Sequence, residues 1–579
     1  MTEMPSAYVR RVHLVNWRSF RETKISLTPG LNVFVGANNA GKSNLIEAVN
    51  LILGDVFLAR YVPPTTDYHG GTSESFEVAI EISLARHRTT HWAGWATKFL
   101  LFDSDDDRRA TVVVRCRCSQ GESPETEFWD GTQWSAASTF YLSRSMDFYF
   151  ARAIRDIQRH TPTSFRSPFQ QIRKIMDKNI GPQTRDGVRE LMNEANSKLM
   201  DDPAISAIKE MLQDVLHGHA DLTSLGFSLG SQTESEMLRN LGITGVDTFD
   251  SAIETKGTGS QNAVILALFQ ILARHSEAPV VFAFEEPEIG FHPQGQRQVL
   301  RLFKSLAKDA QVLLTTHSPN LVDQSVAEGL KRFRKVGGAS AFFPYPTDAA
   351  MVKNADKRIV GESTELLFSN GVLLVEGPSE LGFFPAISTL VPDEHGEVID
   401  FDRINVSVVQ CGGKGEIPKY MELAHALSLP CHAIVDHDKD TRSGFLKPLV
   451  AHGIISQEQF DAIPEDVGLA WTQANSELLD KVGCSITKFR AFEDEILEIE
   501  DNLAPCLIAV NAVRESYGKD PVNVPENGSA SLRDILRDEL RSLKGRRLGF
   551  EIGSRLESLD QIPLTYAGAI KSLAAAVAR

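Results

Sequence analysis

The octapeptide GANNAGKS, Gly36 to Ser43, limits what this chain can fold into more than any other stretch. An apolar run, Val33 to Gly36, leads into it, and LIEAVNLIL follows with apolar residues at helical spacing. A glycine loop between a buried strand and a helix start turns its backbone N–H groups inward as a ring of donors, which suits phosphate oxygens. Gly36, Asn38, Asn39 and Gly41 then form the cradle, Lys42 reaches the β and γ oxygens, and the Ser43 hydroxyl ligates magnesium.

Such a loop needs a distant strand that ends in a carboxylate, and APVVFAFEEPEIGFHP, Ala278 to Pro293, supplies one. Val280 to Phe284 read as a buried central strand, which leaves Glu285 near the magnesium water shell and Glu286 placed to orient or deprotonate an attacking water. The long separation from the loop suits an ATPase with a large insertion. Between the two, KGTGSQNAVILALFQIL is a glycine turn opening an apolar helix, so Gly257 to Ser260 offer another anion site at a helix N-terminus. VLLTTHSPNLVD is a second buried strand, ending at Thr315, Thr316 and His317.

This order of motifs resembles the ABC-type ATPases of the RecF and SMC kind. The resemblance implies an α/β head in which two copies sandwich ATP, Gly259 and Ser260 of one head touching the γ-phosphate held by the other. It also implies that Glu286 is the catalytic base and that His317 senses the γ-phosphate. The sequence departs from the pattern twice: Glu285 stands where the family has Asp, and no glutamine loop is evident between Ser43 and Glu81, where Asp67 is the candidate substitute. NWRSFRETKISLTPGLNVFVG resembles the first hairpin of these heads, which implies Arg18 and Ser19 near the nucleotide.

With 579 residues the chain exceeds a single hydrophobic core, so at least two domains are expected, each burying its own interior. The head is expected over 1–340, with a helical insertion at 150–225 that includes GVRELMNEANSKLM and serves as a lid or a dimerisation arm. No heptad run is long enough for an extended coiled coil. Apolar runs stay well short of the roughly 20 residues that cross a bilayer, and the opening residues lack a signal core, so a cytoplasmic protein with no membrane partner is expected. The six cysteines include no CxxC pair, which leaves no structural zinc. A net charge of -16 argues against a broad nucleic-acid surface, but acidic metal ligands carry part of it, and basic runs remain at Arg144 to His160 and Leu536 to Arg547.

A linker is expected over 341–365 and a second domain over 366–579. In NGVLLVEGPSELGFFPAI the strand Val372 to Val375 delivers Glu376, Gly377 allows a tight turn, and Glu380 falls in the first helical turn. The next unit repeats strand, glycine turn, helix and strand, and closes on AIVDHDKD, Ala433 to Asp440. The Asp436 strand is therefore expected beside the Glu376 strand in a parallel sheet, with the carboxylates gathered at its carboxyl edge. Alternation would put Asp436 and Asp438 on one side and His437 on the other. Four carboxylates make an oxygen nest suited to Mg2+ or Mn2+.

VEGxxE followed by DxD resembles the Toprim fold of topoisomerases, primases and OLD-family nucleases. An ABC-type head followed directly by Toprim is similar to the OLD (overcoming lysogenization defect) family, including the nuclease subunit of Gabija-type antiphage systems. The implied fold class is α/β: an ABC-type P-loop ATPase with a helical insertion, then a Toprim domain with a parallel sheet and a C-terminal helical extension. The implied chemistry is ATP-regulated, two-metal cleavage of double-stranded DNA. Glu493 and Glu495 of AFEDEILE join Glu376, Glu380, Asp436 and Asp438 as metal ligands on this resemblance, and Lys544 stabilises the charge on the phosphorane. The implied partners are DNA and further copies of the chain, as a dimer or tetramer through the heads, with room for a helicase partner. An ATP-switched repair clamp of the RecF type with a non-catalytic Toprim domain is the alternative, and a metal-dependent transferase or primase is a third class.

Overall fold

The computed structural model describes residues 7–54, 61–85, 97–102, 109–137, 146–152, 168–203, 278–346, 362–463, 473–524 and 528–578, with short pieces at 58, 142, 244–246, 250–252, 268–269, 271–273 and 276. The chain opens with β1 (Ala7–Val15), β2 (Glu22–Ser26) and β3 (Leu31–Gly36), and the glycine loop then leads into α1 (Lys42–Leu53). An antiparallel group follows: β4 (Ser75–Ala85), β5 (Leu101–Phe102), β6 (Arg109–Ser119), β7 (Glu125–Trp129) and β8 (Trp134–Ala136). These strands order as β2-β1-β4-β6-β7-β8, with β5 on β6. Along β6 the period of two is plain: Ala110, Val112, Val114, Cys116 and Cys118 are buried, while Arg115 turns outward to Glu77 and Glu127.

A second sheet holds the nucleotide motifs. It is built from β9 (Asp147–Ala151), β12 (Val280–Glu285), β13 (Gln311–Thr315), β14 (Leu330–Val336) and β15 (Ala339–Pro344), in the order β15-β14-β3-β13-β12-β9. All pairings are parallel except β14 with β15. Both faces of this sheet are covered, so its strands are continuously apolar. Val35, Phe282, Phe284 and Leu314 face one core with α4 (Pro293–Leu306), whereas Phe34, Val281, Ala283 and Leu313 face the other with α1. In the expected helical insertion lie α2 (Pro168–Asn179) and α3 (Pro182–Met200), which contains GVRELMNEANSKLM. Between them and β12 lies a short ladder, β10 (Thr244–Val246) with β11 (Asp250–Ala252). The sheet runs to Pro344, past the expected boundary at 340, and residues 347–361 of the expected linker lie outside the described residues.

The carboxyl-terminal half centres on four parallel strands: β16 (Gly371–Val375), β17 (Val406–Gln410), β18 (Cys431–Val435) and β19 (Cys484–Ile486), ordered β17-β16-β18-β19. Helices α5 (Pro378–Ser388) and α6 (Ile417–Ala426) connect them. The C-terminal extension comprises α7 (Phe492–Leu497), α8 (Leu503–Ser516), α9 (Gly528–Ser542), α10 (Arg546–Gly553) and α11 (Leu564–Ala578).

Each half buries a core of its own, one around Val12, Leu45 and Val112 and one around Phe384, Ile496 and Ile570, and a further cluster spans both halves. This shared cluster runs from Val33, Phe282 and Leu330 through Tyr345 and Leu366 to Val372, Met421 and Val435. At its seam Arg332 of β14 is 1% exposed and donates to the carbonyls of Leu427 at 3.0 Å and Ser369 at 2.6 Å, and Arg334 donates to Ser428 at 2.5 Å. Because β14 pairs with β3, Phe333 opposite Gly36, the strand that feeds the glycine loop lies one strand away from the second half. Among the described residues no helix is long and apolar enough to cross a membrane.

Candidate functional site

The glycine loop packs as its sequence requires. Gly36 has φ 132, and a methyl there would stand 2.1 Å from the Phe333 carbonyl oxygen. Gly41 has φ 106, and a methyl there would meet Ser340 Oγ at 2.5 Å. Asn38 and Asn39 are exposed on the loop, Asn39 with φ 60. Lys42 is 5% exposed and folds back on the loop, donating to the Gly36 and Ala37 carbonyls at 2.8 and 2.9 Å. Burial lowers its ammonium to about 8 despite Glu286 and Glu288 nearby, so incoming phosphate oxygens would replace carbonyl partners and restore the full charge.

Glu285 ends β12 and Glu286 follows it, both beside the glycine loop. Burial raises Glu285, and the Ser43 hydroxyl bonds to it, which brings the two expected magnesium-site residues together. Glu286 has φ 44, a left-handed backbone for a non-glycine residue, and its side chain lies 3.7 Å from His317 Nε2. Burial and then Lys42 hold His317 below its ordinary value, which favours the neutral imidazole, while Glu286 acts the other way. Glu288 went unassigned in the sequence reading. It is 8% exposed, and its Oε1 accepts from Thr316 Oγ1 at 2.8 Å and His317 N at 2.7 Å, which fixes the His317 loop. The only signal for it was a third acid two residues past Glu286.

Arg18 and Ser19 line a cavity of about 790 Å³ with Asn44, Tyr68, His69 and Lys335. Ser19 Oγ lies 3.0 Å from the methyl position of Gly41, so this cavity adjoins the glycine loop. Asp67 is buried and held by Arg18 at 2.9 Å and by the Tyr61 hydroxyl. It orients Arg18 at the cavity wall. Gly259 and Ser260 lie outside the described residues.

The second site forms at the carboxyl ends of β16 and β18, which are paired in parallel. Glu376 leaves β16 and accepts the Asp436 amide at 2.8 Å. Glu380 lies in the first turn of α5, 8% exposed, and accepts the Gly377 amide at 3.3 Å. Glu493, in the first turn of α7, is 1% exposed, and its Oε2 is buried without a partner. Burial, then Glu380, Glu376 and Glu493, push Asp436 up to about 8. Burial, then Glu493 and Glu376, push Glu380 up to about 7. Burial is the largest cause of both shifts, and the neighbouring carboxylates add to it.

Beyond Val435 the strand ends, so Asp438 does not continue the alternation expected for it. It turns toward Lys414, whose Nζ lies 2.5 Å from Asp438 Oδ2, while the His437 amide donates to Thr487 Oγ1 at 3.0 Å. Lys414 comes from the QCGGKGE turn after β17 and also reaches the Asp436 carbonyl at 3.2 Å. Sequence reasoning saw only the glycines there. Lys544 reaches Glu493 Oε1 at 3.1 Å.

Helix α10 brings Lys544 there by close packing on α5. A methyl on Gly549 would stand 1.8 Å from the Ser379 carbonyl oxygen, and one on Gly382 would stand 1.9 Å from that of Arg546. Glu495 is not part of the cluster. Its oxygens accept the Phe489 amide at 2.9 Å and the Lys488 amide at 3.4 Å, because in α7 residues two apart point to different sides. Asp494 is taken by Arg537 and Arg541, which accounts for part of the basic run near the C-terminus.

The donor set is all oxygen and includes the unpartnered Glu493 Oε2, which fits a hard divalent cation. As placed, no three acidic, histidine or cysteine side chains among the described residues converge on one point. Glu376 is turned to a backbone amide, and ammonium groups hold Asp438 and Glu493.

Comparison with known proteins finds matches in both halves of the chain. Family models described as AAA domain and AAA ATPase domain match residues 11–199 and 134–322, and one described as overcoming lysogenization defect protein-like TOPRIM domain matches 367–438. The chain is 25% identical to an OLD nuclease of Thermus scotoductus over 455 residues, 75% of this chain and 82% of that one. It is 21% identical to the endonuclease GajA of Bacillus cereus over 421 residues, 66% and 68% of the two chains. The DNA replication and repair protein RecF of Acidothermus cellulolyticus is 52% identical, but over 42 residues, 7% of this chain.

Proposed function

We infer that this chain, an OLD-type protein with an ATPase head followed by a Toprim domain, is an ATPase and a divalent-metal-dependent DNA endonuclease acting in antiphage defence. The observation that carries the nuclease reading is the cluster of Glu376, Glu380, Asp436 and Glu493 at one sheet edge, flanked by Lys414 and Lys544. Four such carboxylates destabilise the site unless cations complete it, so their retention favours a working site over a non-catalytic platform. The RecF relatives match 7–16% of this chain, against 75% for the OLD nuclease, which weighs against the clamp alternative.

Glu376, Glu380, Asp436, Asp438 and Glu493 would hold Mg2+ or Mn2+, which supplies a nucleophilic water and neutralises the phosphate. The chain's own residues set the rest. Lys544 neutralises charge on the phosphorane, and the carboxylates orient the attacking water so that one P–O bond forms as the other breaks. In the head, Lys42, Ser43 and Glu285 hold ATP with Mg2+, Glu286 orients the water, and His317 faces the γ-phosphate. Gly259 and Ser260 complete the site in trans, which requires a dimer or tetramer of heads, and a helicase partner fits the same scheme.

Nucleotide occupancy at Lys42 gates access to the Toprim edge, and the Arg332 seam supports this coupling. Supercoiled plasmid incubated with Mg2+ or Mn2+, with and without ATP, tests the proposal. We expect nicking or linearisation that Asp436→Ala loses; intact plasmid under every condition would sink the nuclease reading. Glu286→Gln traps ATP, and cleavage identical to the nucleotide-free protein would sink the gating.

A further inference from the structure

Lys414 reaches the acidic edge at Asp436 and Asp438, whereas Lys544 reaches it at Glu493. Its turn carries Gly412 and Gly413 with φ 78 and 125, which swing the side chain back over the sheet edge. The stem lies 3.7 Å from the methyl position of Gly444, and the ammonium bridges Asp438 Oδ2 at 2.5 Å and the Asp436 carbonyl at 3.2 Å. The Thr441 hydroxyl braces the turn that carries Asp436 and Asp438, donating to the Asp436 carbonyl at 3.1 Å and accepting the Asp438 amide at 2.9 Å. The two ammonium groups thus divide the site: Lys544 serves Glu493, and Lys414 serves the aspartate pair.

An ammonium and a divalent cation on one carboxylate repel each other, so binding of the metal weakens the hold of Asp438 on Lys414. We propose that Lys414 is the resident cation of Asp438, that divalent metal displaces it, and that the freed ammonium binds the scissile phosphate. Metal loading and phosphate capture are then one exchange: the carboxylate gains a metal, and the lysine, a strong point-charge donor to phosphate, gains a new anion. This places Lys414 beside Lys544 as a second catalytic lysine, and it rests on the reading of the carboxylate cluster as a metal site.

Calorimetric titration with Mn2+ in the absence of DNA, followed by plasmid cleavage at saturating Mn2+, tests the exchange on the full chain. Lys414→Met should bind Mn2+ at least threefold more tightly than the parent, since its competitor is gone, yet cleave at least tenfold more slowly. Lys414→Arg should restore both values toward those of the parent. Lys414→Gln serves as a second neutral variant if the methionine variant does not fold. Unchanged or weaker Mn2+ binding in the neutral variants, or cleavage at the parental rate, overturns the proposal. Failure of the parent to bind Mn2+, or parental binding by Asp436→Ala, instead overturns the metal-site reading beneath it.

Discussion

Arg332 donates to the Leu427 carbonyl at 3.0 Å from a strand paired with the one that feeds the phosphate loop. Leu427 closes α6, and the turn that opens α6 carries Lys414. One helix thus links the β14 edge to the turn of Lys414, the connection through which the proposed nucleotide gating would act.

Arg332→Met should leave cleavage without nucleotide intact while removing its response to ATP. It also strands two buried carbonyls, at a cost of about 1–3 kcal/mol each. Plasmid cleavage with and without ATP, alongside a thermal melt, reads both effects; an undiminished ATP response in a folded variant would refute the route.

Metal binding should strengthen with pH. Asp436 and Glu380 titrate in the native state near 8 and 7, far above the unfolded values near 4, and both must lose a proton to hold a cation. Mn2+ affinity should therefore rise by up to about tenfold per pH unit for each proton released, between about pH 6 and 8. The sign for stability is opposite. The metal-free native state keeps protons that the unfolded chain has lost, so the contribution is full below about pH 4 and is lost as pH rises through about 8. Asp436→Asn should flatten the metal-free melting profile over that range, and a profile as steep as the parent's would count against the carboxylate crowding.

Gly549→Ala should separate α10 from α5, because the added methyl overlaps the Ser379 carbonyl. The expected result is a loss of about 1–3 kcal/mol in stability together with slowed cleavage, as Lys544 retreats from Glu493. Lys544→Ala should slow cleavage with a smaller loss of stability, because it removes the partner of Glu493 without disturbing the helix packing. Equal melting temperatures for both variants would show that the helices repack freely.

Glu493→Gln and Glu495→Gln should separate cleanly. The first removes a charge from the metal edge and should weaken Mn2+ binding and cleavage at least tenfold. The second weakens two amide bonds at Phe489 and Lys488, so it should lower the melting temperature and leave Mn2+ affinity within about twofold. A drop in Mn2+ affinity for Glu495→Gln would return it to the ligand set.

The sequence by itself determined the parts whose chemistry is local. GANNAGKS, the Glu285–Glu286 strand end, VEGxxE and the Asp436 strand end each combine a strand with a loop of fixed composition, so a short window specifies both the backbone and the donor groups. The parallel pairing of the Glu376 and Asp436 strands followed from the same repeat of strand, turn and helix.

Tertiary structure decided what depends on contacts between distant segments. Lys414 looks like one more residue of a glycine turn until β17 is set beside β16 and its ammonium meets Asp438. Glu493 and Glu495 are alike in sequence, and only the packing of α7 turns one to the cluster and the other to a backbone loop. The seam at Arg332 was illegible for the same reason, since its partners are carbonyl groups, which every residue carries and no sequence pattern marks.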